Sequence, residues 1–201
     1  MMKSKVWLVR PLPHFGDHLS TFLEDDIIAV GYPVGESLKD ADYEQIRSYL
    51  QVKGWGEGIG NVNILVNEMA IGDFVIVPSS NKKDIYFGEI VTDYVYREKL
   101  DEDLPGISGF PHQRIIHWFF DKKPYLRSDL PEALKGSLRY PGAVADLTKH
   151  FDLVKQIVRG NGIPGYSDME TKAWAIIEEL LESDDEQIKL KAAELIISHK
   201  K

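Results

Sequence analysis

Cysteine is absent from all 201 residues. That excludes a disulfide framework, thiolate zinc sites and a cysteine nucleophile, and it fits a reducing cytoplasm. Long apolar runs are missing too: none approaches the roughly 20 residues needed to span a bilayer. Residues 1–5 lead straight into a short apolar strand, without the apolar core of a signal peptide. The expectation is a soluble cytoplasmic protein with no membrane partner. There is also no surplus of positive charge, since the formal net charge is −8. From Asp146 onward eight Lys/Arg stand against eleven Asp/Glu, and residues 1–145 hold 16 against 21. Neither part is a basic nucleic-acid binder by bulk charge, although net charge leaves the local distribution open.

Recognisable catalytic chemistry is lacking as well. The chain has no phosphate-binding P-loop, no G-x-S-x-G, no H-E-x-x-H and no calcium-loop pattern. Histidines fall at 14, 18, 112, 117, 150 and 199. His14 and His18 have the i, i+4 spacing of a helical metal pair, but Gly16 between them disfavours the helix, and surface or structural roles are expected. Asp73 and Glu89 have the separation of a metal-dependent nuclease pair, yet Glu89-Ile90-Val91 lacks the lysine such a site needs to polarise water. The expectation is a protein that is not an enzyme, with no metal and no cofactor.

What is present reads as a strand-rich domain with a helical tail. Residues 6–10 form a strand stopped by Pro11 and Pro13. A short helix over 16–24 is followed by the apolar run 27–31. Residues 40–50 place Tyr43, Ile46 and Leu50 on one helical face, with Asp40 as the expected N-cap. Residues 54–61 hold four glycines and one Trp and are expected to be a loop. A helix over 63–70 precedes strands over 73–77, 85–91 (continuing through 94–96) and 114–120. From about Val144 the spacing of Val144, Leu147, Phe151, Val154 and Val158 turns helical. After the break at 160–165, capping signals at Ser167 and Ser183 open two amphipathic helices expected to pair as a hairpin. This predicts a binding domain over 1–145 and a helical tail over 146–201. The fold class is α+β: a curled mixed sheet or small open barrel of about five or six strands, with short helices.

The order Val6-Trp7-Leu8-Val9-Arg10, Ile28-Ala29-Val30-Gly31-Tyr32, Ile71-Gly72-Asp73, Phe87-Gly88-Glu89-Ile90 with Tyr94, then Gln113-Arg114 through Trp118 resembles that of EVE-like modules. These belong to the PUA-like superfamily and precede the nuclease domain in Mrr-type restriction proteins. The resemblance covers residues 5 to about 120 or 145. It implies a mixed pseudo-barrel with a concave pocket that takes a flipped, modified base in an aromatic cage, in a restriction or phage-defence setting. Two departures stand out: Tyr32 follows Gly31 where the family often has Trp, and the helical tail stands where those proteins carry their nuclease. The implied ligand is nucleic acid, modified DNA rather than RNA.

A base reader needs flat aromatic faces, a few donors and acceptors, and cations for flanking phosphates. Trp55 and Tyr32 are the aromatic candidates outside strands, and Tyr94 follows one. Trp7 and Trp118 lie within strands, where core packing competes with a ligand role; of these two, Trp118 is retained as a candidate. Arg10 and Arg114 stand at strand ends as phosphate or base-edge contacts, with surface salt bridges as the alternative. Asn61 and Asn63 flank the glycine loop as base-edge partners or as turn caps. The competing function is protein–protein assembly, with a homodimer or an effector held through the C-terminal helices and no nucleic-acid ligand.

Overall fold

The computed structural model describes residues 4–104, 107–159, 176–177, 179–183 and 185–199. The chain divides into two compact units, 1–158 and 159–201. The first is a mixed α+β unit whose curled sheet forms a half-barrel. Its strands are β1 (Val6–Val9), β2 (Ile27–Val30), β3 (Phe74–Pro78), β4 (Asp84–Ile90), β5 (Val95–Tyr96), β6 (Asp103–Leu104), β7 (Ile107–Ser108), β8 (His112–Trp118), β9 (Tyr125–Leu126) and β10 (Val144–Asp146). The main order is β10-β1-β3-β4-β8-β2, with β5 added to β8 and β9 to β4, while β6 and β7 pair separately. Strands β1 and β3 run parallel. Along its length β8 passes from pairing with β4 to pairing with β2, which turns the corner of the sheet.

Alternation along the strands divides the core in two. Trp7, Val9, Val75, Val77, Ile90, Ile116 and Trp118 face one cluster, and Val6, Leu8, Phe74, Ile76, Ile85 and Phe87 face the other. Onto the first face pack Phe22 of α1 (Leu19–Glu24), Ile46 and Leu50 of α2 (Tyr43–Val52), and Val62 of α3 (Ile59–Asn63). Onto the second pack Leu134 of α4 (Glu132–Ser137) and Val154 and Ile157 of α5 (Phe151–Val158). Asp73 ties the start of β3 to β1: its buried carboxylate accepts from Lys5 N and Trp7 Nε1, both at 2.8 Å, and from Ala70 N at 3.0 Å.

Four local expectations change. The cap of α2 is Asp42, which forms a reciprocal capping box with Gln45, whereas Asp40 sits at φ 67°. The glycine-rich segment is helical: a 3-10 turn over Gly56–Gly58 leads into α3 and then a π-helical turn over Ile64–Glu68. Burial of Gly58, Val62 and Leu65 outweighs the weak helix propensity of its glycines. Val144–Asp146 is a strand rather than the start of a helix, because its backbone completes the edge of β1 in the register Val9↔Val144. With β10 on that sheet and α5 on its core, the first compact unit runs to Val158, past the expected boundary at 145.

In the second unit the helix α6 (Glu186–His199) is capped by Asp185, whose carboxylate accepts from Gln187 N at 2.8 Å and Ile188 N at 3.3 Å. Ser183 was the expected cap; its hydroxyl instead accepts from Asp185 N. Ala192 is buried, while Ile188 is 39% exposed. The signal at Ser167–Glu170 and Trp174 lie outside the described residues. Among the described residues no helix is long and apolar enough to cross a membrane.

Candidate functional site

The structure brings Tyr32 and Trp55 together. Their rings meet edge to face with centroids 6.0 Å apart, and the His14 ring stands 6.3 Å from Tyr32 and 6.2 Å from Trp55. All three are half-buried at the margin of the first core cluster. Two glycines make the close approach feasible. A Cβ on Gly58 would lie 2.6 Å from the Tyr32 ring, and one on Gly31 would lie 2.7 Å from His14 Nε2. The helical turn over 56–58, unforeseen in the sequence, thus supplies the floor on which Tyr32 lies.

The backbone here is bent against its preferences. His14 (φ 50°), Phe15 (φ 65°) and Tyr32 (φ 72°) all occupy the left-handed region, at a typical cost of about 1–2 kcal/mol per residue. Such conformations persist where surrounding structure enforces them, and they concentrate at functional sites. For Tyr32 the enforcing contact is buried His112, whose Nε2 lies 3.1 Å from the Tyr32 carbonyl. A carbonyl only accepts, so Nε2 carries the proton and Nδ1 accepts from the Tyr94 hydroxyl at 2.7 Å. The Tyr94 oxygen in turn accepts from Leu38 N at 3.3 Å. Burial drives the His112 pKa down to about 4 and that of Tyr94 up to about 12, so both are neutral across the physiological range. His14 is held separately, its Nε2 2.7 Å from the Gly109 carbonyl, which leaves Nδ1 as an acceptor in the neutral ring.

Asn61 completes the cluster. Burial raises the Tyr32 phenol pKa, and the Asn61 side chain facing that hydroxyl partly offsets the effect. Beside these groups Phe15 is fully exposed, at 101% of its reference area. The arrangement offers aromatic faces, an amide and a ring nitrogen within one neighbourhood.

The remaining candidates are engaged in the fold. Arg114, 3% exposed, donates from Nε to Leu65 O, from Nη1 to Thr92 O, and from Nη2 to Val66 O and Met69 O. It caps the carbonyls released where the π-helical turn ends, in place of the expected phosphate contact. Arg10 donates to the carbonyls of Leu138, Tyr140 and Gly142 and so caps the end of α4. Trp118 is core, opposite Gly88 on β4, and its indole N–H has no partner among the described residues. Tyr94 spends its hydroxyl on His112. Asn63 donates to Glu68 and accepts from Asn67, so it braces its own helix.

Three features escaped the sequence reading. His14 was read as structural, but it joins the aromatic cluster, through a turn that no periodicity encodes. Ser137 Oγ lies 2.8 Å from His150 Nε2, although among the described residues no carboxylate hydrogen-bonds His150, as a charge-stabilised nucleophile pair would require. A cleft of about 620 Å³ is bordered by Lys82, Lys83, Arg127, Lys135 and Arg139. Among the described residues no group of three or more His, Asp or Glu side chains could hold a metal ion.

A half-barrel α+β domain with a strained aromatic cluster at its margin is therefore the class that fold and site define. The chain belongs to the family described as a domain of unknown function, DUF8426, whose model matches residues 16–134. The NMR structure of Rpa0253 from Rhodopseudomonas palustris is similar at 17% identity, over 77% of this chain and 92% of that one, with a TM-score of 0.31. No curated protein matches the chain.

Proposed function

We propose that the protein is a non-catalytic nucleic-acid reader that stacks an extruded base on the Tyr32–Trp55 cluster. The observation that carries this reading is the convergence of Tyr32, Trp55, His14 and Asn61 on backbone held in left-handed conformations. Stacking on an aromatic side chain contributes about 1–3 kcal/mol per base, while extrusion costs a few kcal/mol. Two aromatic faces roughly offset that cost, so selectivity falls to the groups that meet the base edge. The Asn61 amide and His14 Nδ1 are suited to that role. The likeness to EVE-like modules in motif order points the same way and favours a modified base in DNA.

The overall acidity argues against any polyanion ligand, but the charge is unevenly spread, and the cations around the 620 Å³ cleft give it a local exception. The test is a binding screen by fluorescence anisotropy at low salt, using single strands and duplexes that carry modified cytosine or adenine, with RNA counterparts. The expected result is binding that Trp55→Ala weakens by about 1–3 kcal/mol, roughly 5- to 150-fold. Binding no better than non-specific background at low salt, where phosphate contacts are strongest, would sink the reading.

A further inference from the structure

The charge of this protein is misplaced for an acidic surface at one position. Five of the seven residues that border the 620 Å³ cleft are cations, and none is an acid. They come from three separate segments. Lys82 and Lys83 form the tip of the β3–β4 hairpin, Arg127 and Ser128 follow β9, and Lys135 and Arg139 lie on α4 and just beyond it. Pairing holds the segments in place: Arg127 N donates to Lys83 O at 2.7 Å, and β9 pairs with β4 in the register Asp84↔Leu126. Of the described acids close in sequence, only Glu132 forms a salt bridge with a cleft cation, Lys135, which leaves Lys82, Lys83, Arg127 and Arg139 without one. Asp84 accepts from Asn81 at 2.6 Å, Asp129 accepts from Ser128 at 2.8 Å, and Glu132 pairs with Lys135 at 3.0 Å. Lys82, Lys83 and Arg139 are exposed, and no salt bridge links them to any described carboxylate.

The cleft is also connected to the aromatic cluster. Arg10 donates to the carbonyls on either side of Arg139, and its pKa is lowered by burial and, to a lesser extent, by the charge of Arg127. From Arg10 the chain runs only four residues to His14, a reach of at most about 14 Å. At the hairpin end, Ser80 donates to Asp17, which lies on the same segment as His14. Both margins of the cleft therefore lead to the segment that carries His14 and Phe15.

We propose that this cleft binds phosphate oxyanions. Resting on the base-stacking reading above, those oxyanions belong to the backbone of the strand whose base reaches Trp55. Two probes test this on the full chain: inorganic tripolyphosphate by calorimetry, and a single strand of about 12 nucleotides, within the usual 4–16 nucleotide footprint, across a salt series. The variants are Lys82→Gln/Lys83→Gln/Arg139→Gln, the control Lys39→Gln/Lys53→Gln/Lys99→Gln at exposed positions outside the cleft, and Trp55→Ala. The cleft variant is expected to weaken tripolyphosphate binding at least about tenfold and to lower the salt slope for the strand by about 2, near 0.7 per lost contact. Trp55→Ala weakens the strand alone and leaves the slope unchanged. If the cleft variant keeps wild-type affinity and slope, or the control matches its losses, the cleft proposal is overturned while the base-stacking reading stands on Trp55→Ala. If tripolyphosphate binds through the cleft but no strand binds, the oxyanion site stands and the nucleic-acid reading falls. If neither probe binds, both are overturned.

Discussion

The two faces of the curled sheet are made by the same strands, residue by alternate residue, yet they are built on different terms. The face under α2 and α3 buries Asp73, His112 and Arg114 and carries left-handed Tyr32 at its margin. The face under α4 and α5 is closed by Leu130, Leu134, Leu138, Val154 and Ile157, with Phe74 stacked on Phe151 at 5.6 Å, and keeps its charge on the rim. An apolar face tolerates substitution provided volume is kept. A face with buried, fully bonded polar groups admits far fewer sequences but holds side chains at defined positions. The first face therefore fixes an aromatic geometry, and the second presents exposed cations.

The largest test of that contrast compares two arginines that both cap backbone carbonyls. Arg114 satisfies four carbonyls inside the first face, whereas Arg10 caps the end of α4 from a partly exposed position. Arg114→Met leaves buried acceptors unpaired and is expected to cost about 3–5 kcal/mol in urea unfolding. Arg10→Met leaves its acceptors within reach of water and is expected to cost no more than about 1–2 kcal/mol. Equal losses would erase the distinction between the faces. A loss below about 1 kcal/mol for Arg114→Met would return that residue to the list of ligand contacts.

A second effect belongs to His112 alone. Its folded pKa, about 4, lies below the ordinary 6.5 of an unfolded histidine, so the folded state binds fewer protons between those values. The stability this group supports is complete above about pH 6.5 and is lost as pH falls towards 4, by up to about 3 kcal/mol. Denaturation midpoints measured from pH 7 to 4 should show that slope, and His112→Gln should flatten it. Because His112 holds the Tyr32 carbonyl, the aromatic cluster should loosen in the same window. Base binding that persists unchanged at pH 4 would separate the histidine from the site.

Much of this contrast was legible before the fold was known, and the illegible part has a common cause. The apolar strands β1 to β4 and β8 follow from alternation, runs of β-branched residues and proline stops. Tyr32 and Trp55 could be singled out because each is a large aromatic outside any strand. The cluster they form with His14 could not be foreseen residue by residue, since it depends on a turn at His14 with no periodic signature. It also depends on a helical turn over Gly56–Gly58 that tertiary packing imposes against propensity. Arg10 and Arg114 looked like free cations because a guanidinium bonded to carbonyls leaves no charge partner in the sequence. The basic cleft was invisible for the opposite reason, as its cations lie on three segments separated by more than forty residues at the widest gap. A count of net charge averages such a grouping away. The short strand β10 read as helix because apolar residues at 144, 147, 151 and 154 satisfy helical spacing, although β10, the connecting residue Leu147 and α5 contribute them separately.

The smallest expected effect bears most directly on why the first face is strained. Phe15 is fully exposed and left-handed, so it contributes little burial while accepting a backbone cost of about 1–2 kcal/mol. Glycine at that position removes the steric cost but adds unfolded-chain entropy of about 0.5–1 kcal/mol. Phe15→Gly should therefore change stability by between nothing and a gain of about 1 kcal/mol. If the strain serves to present an aromatic face beside His14, the same variant should weaken binding of the oligonucleotide by a factor measurable in the anisotropy titration, with no change in salt slope. A variant that gains stability and binds as well as wild type would mark Phe15 as an incidental loop residue and confine the site to the half-buried rings of His14, Tyr32 and Trp55.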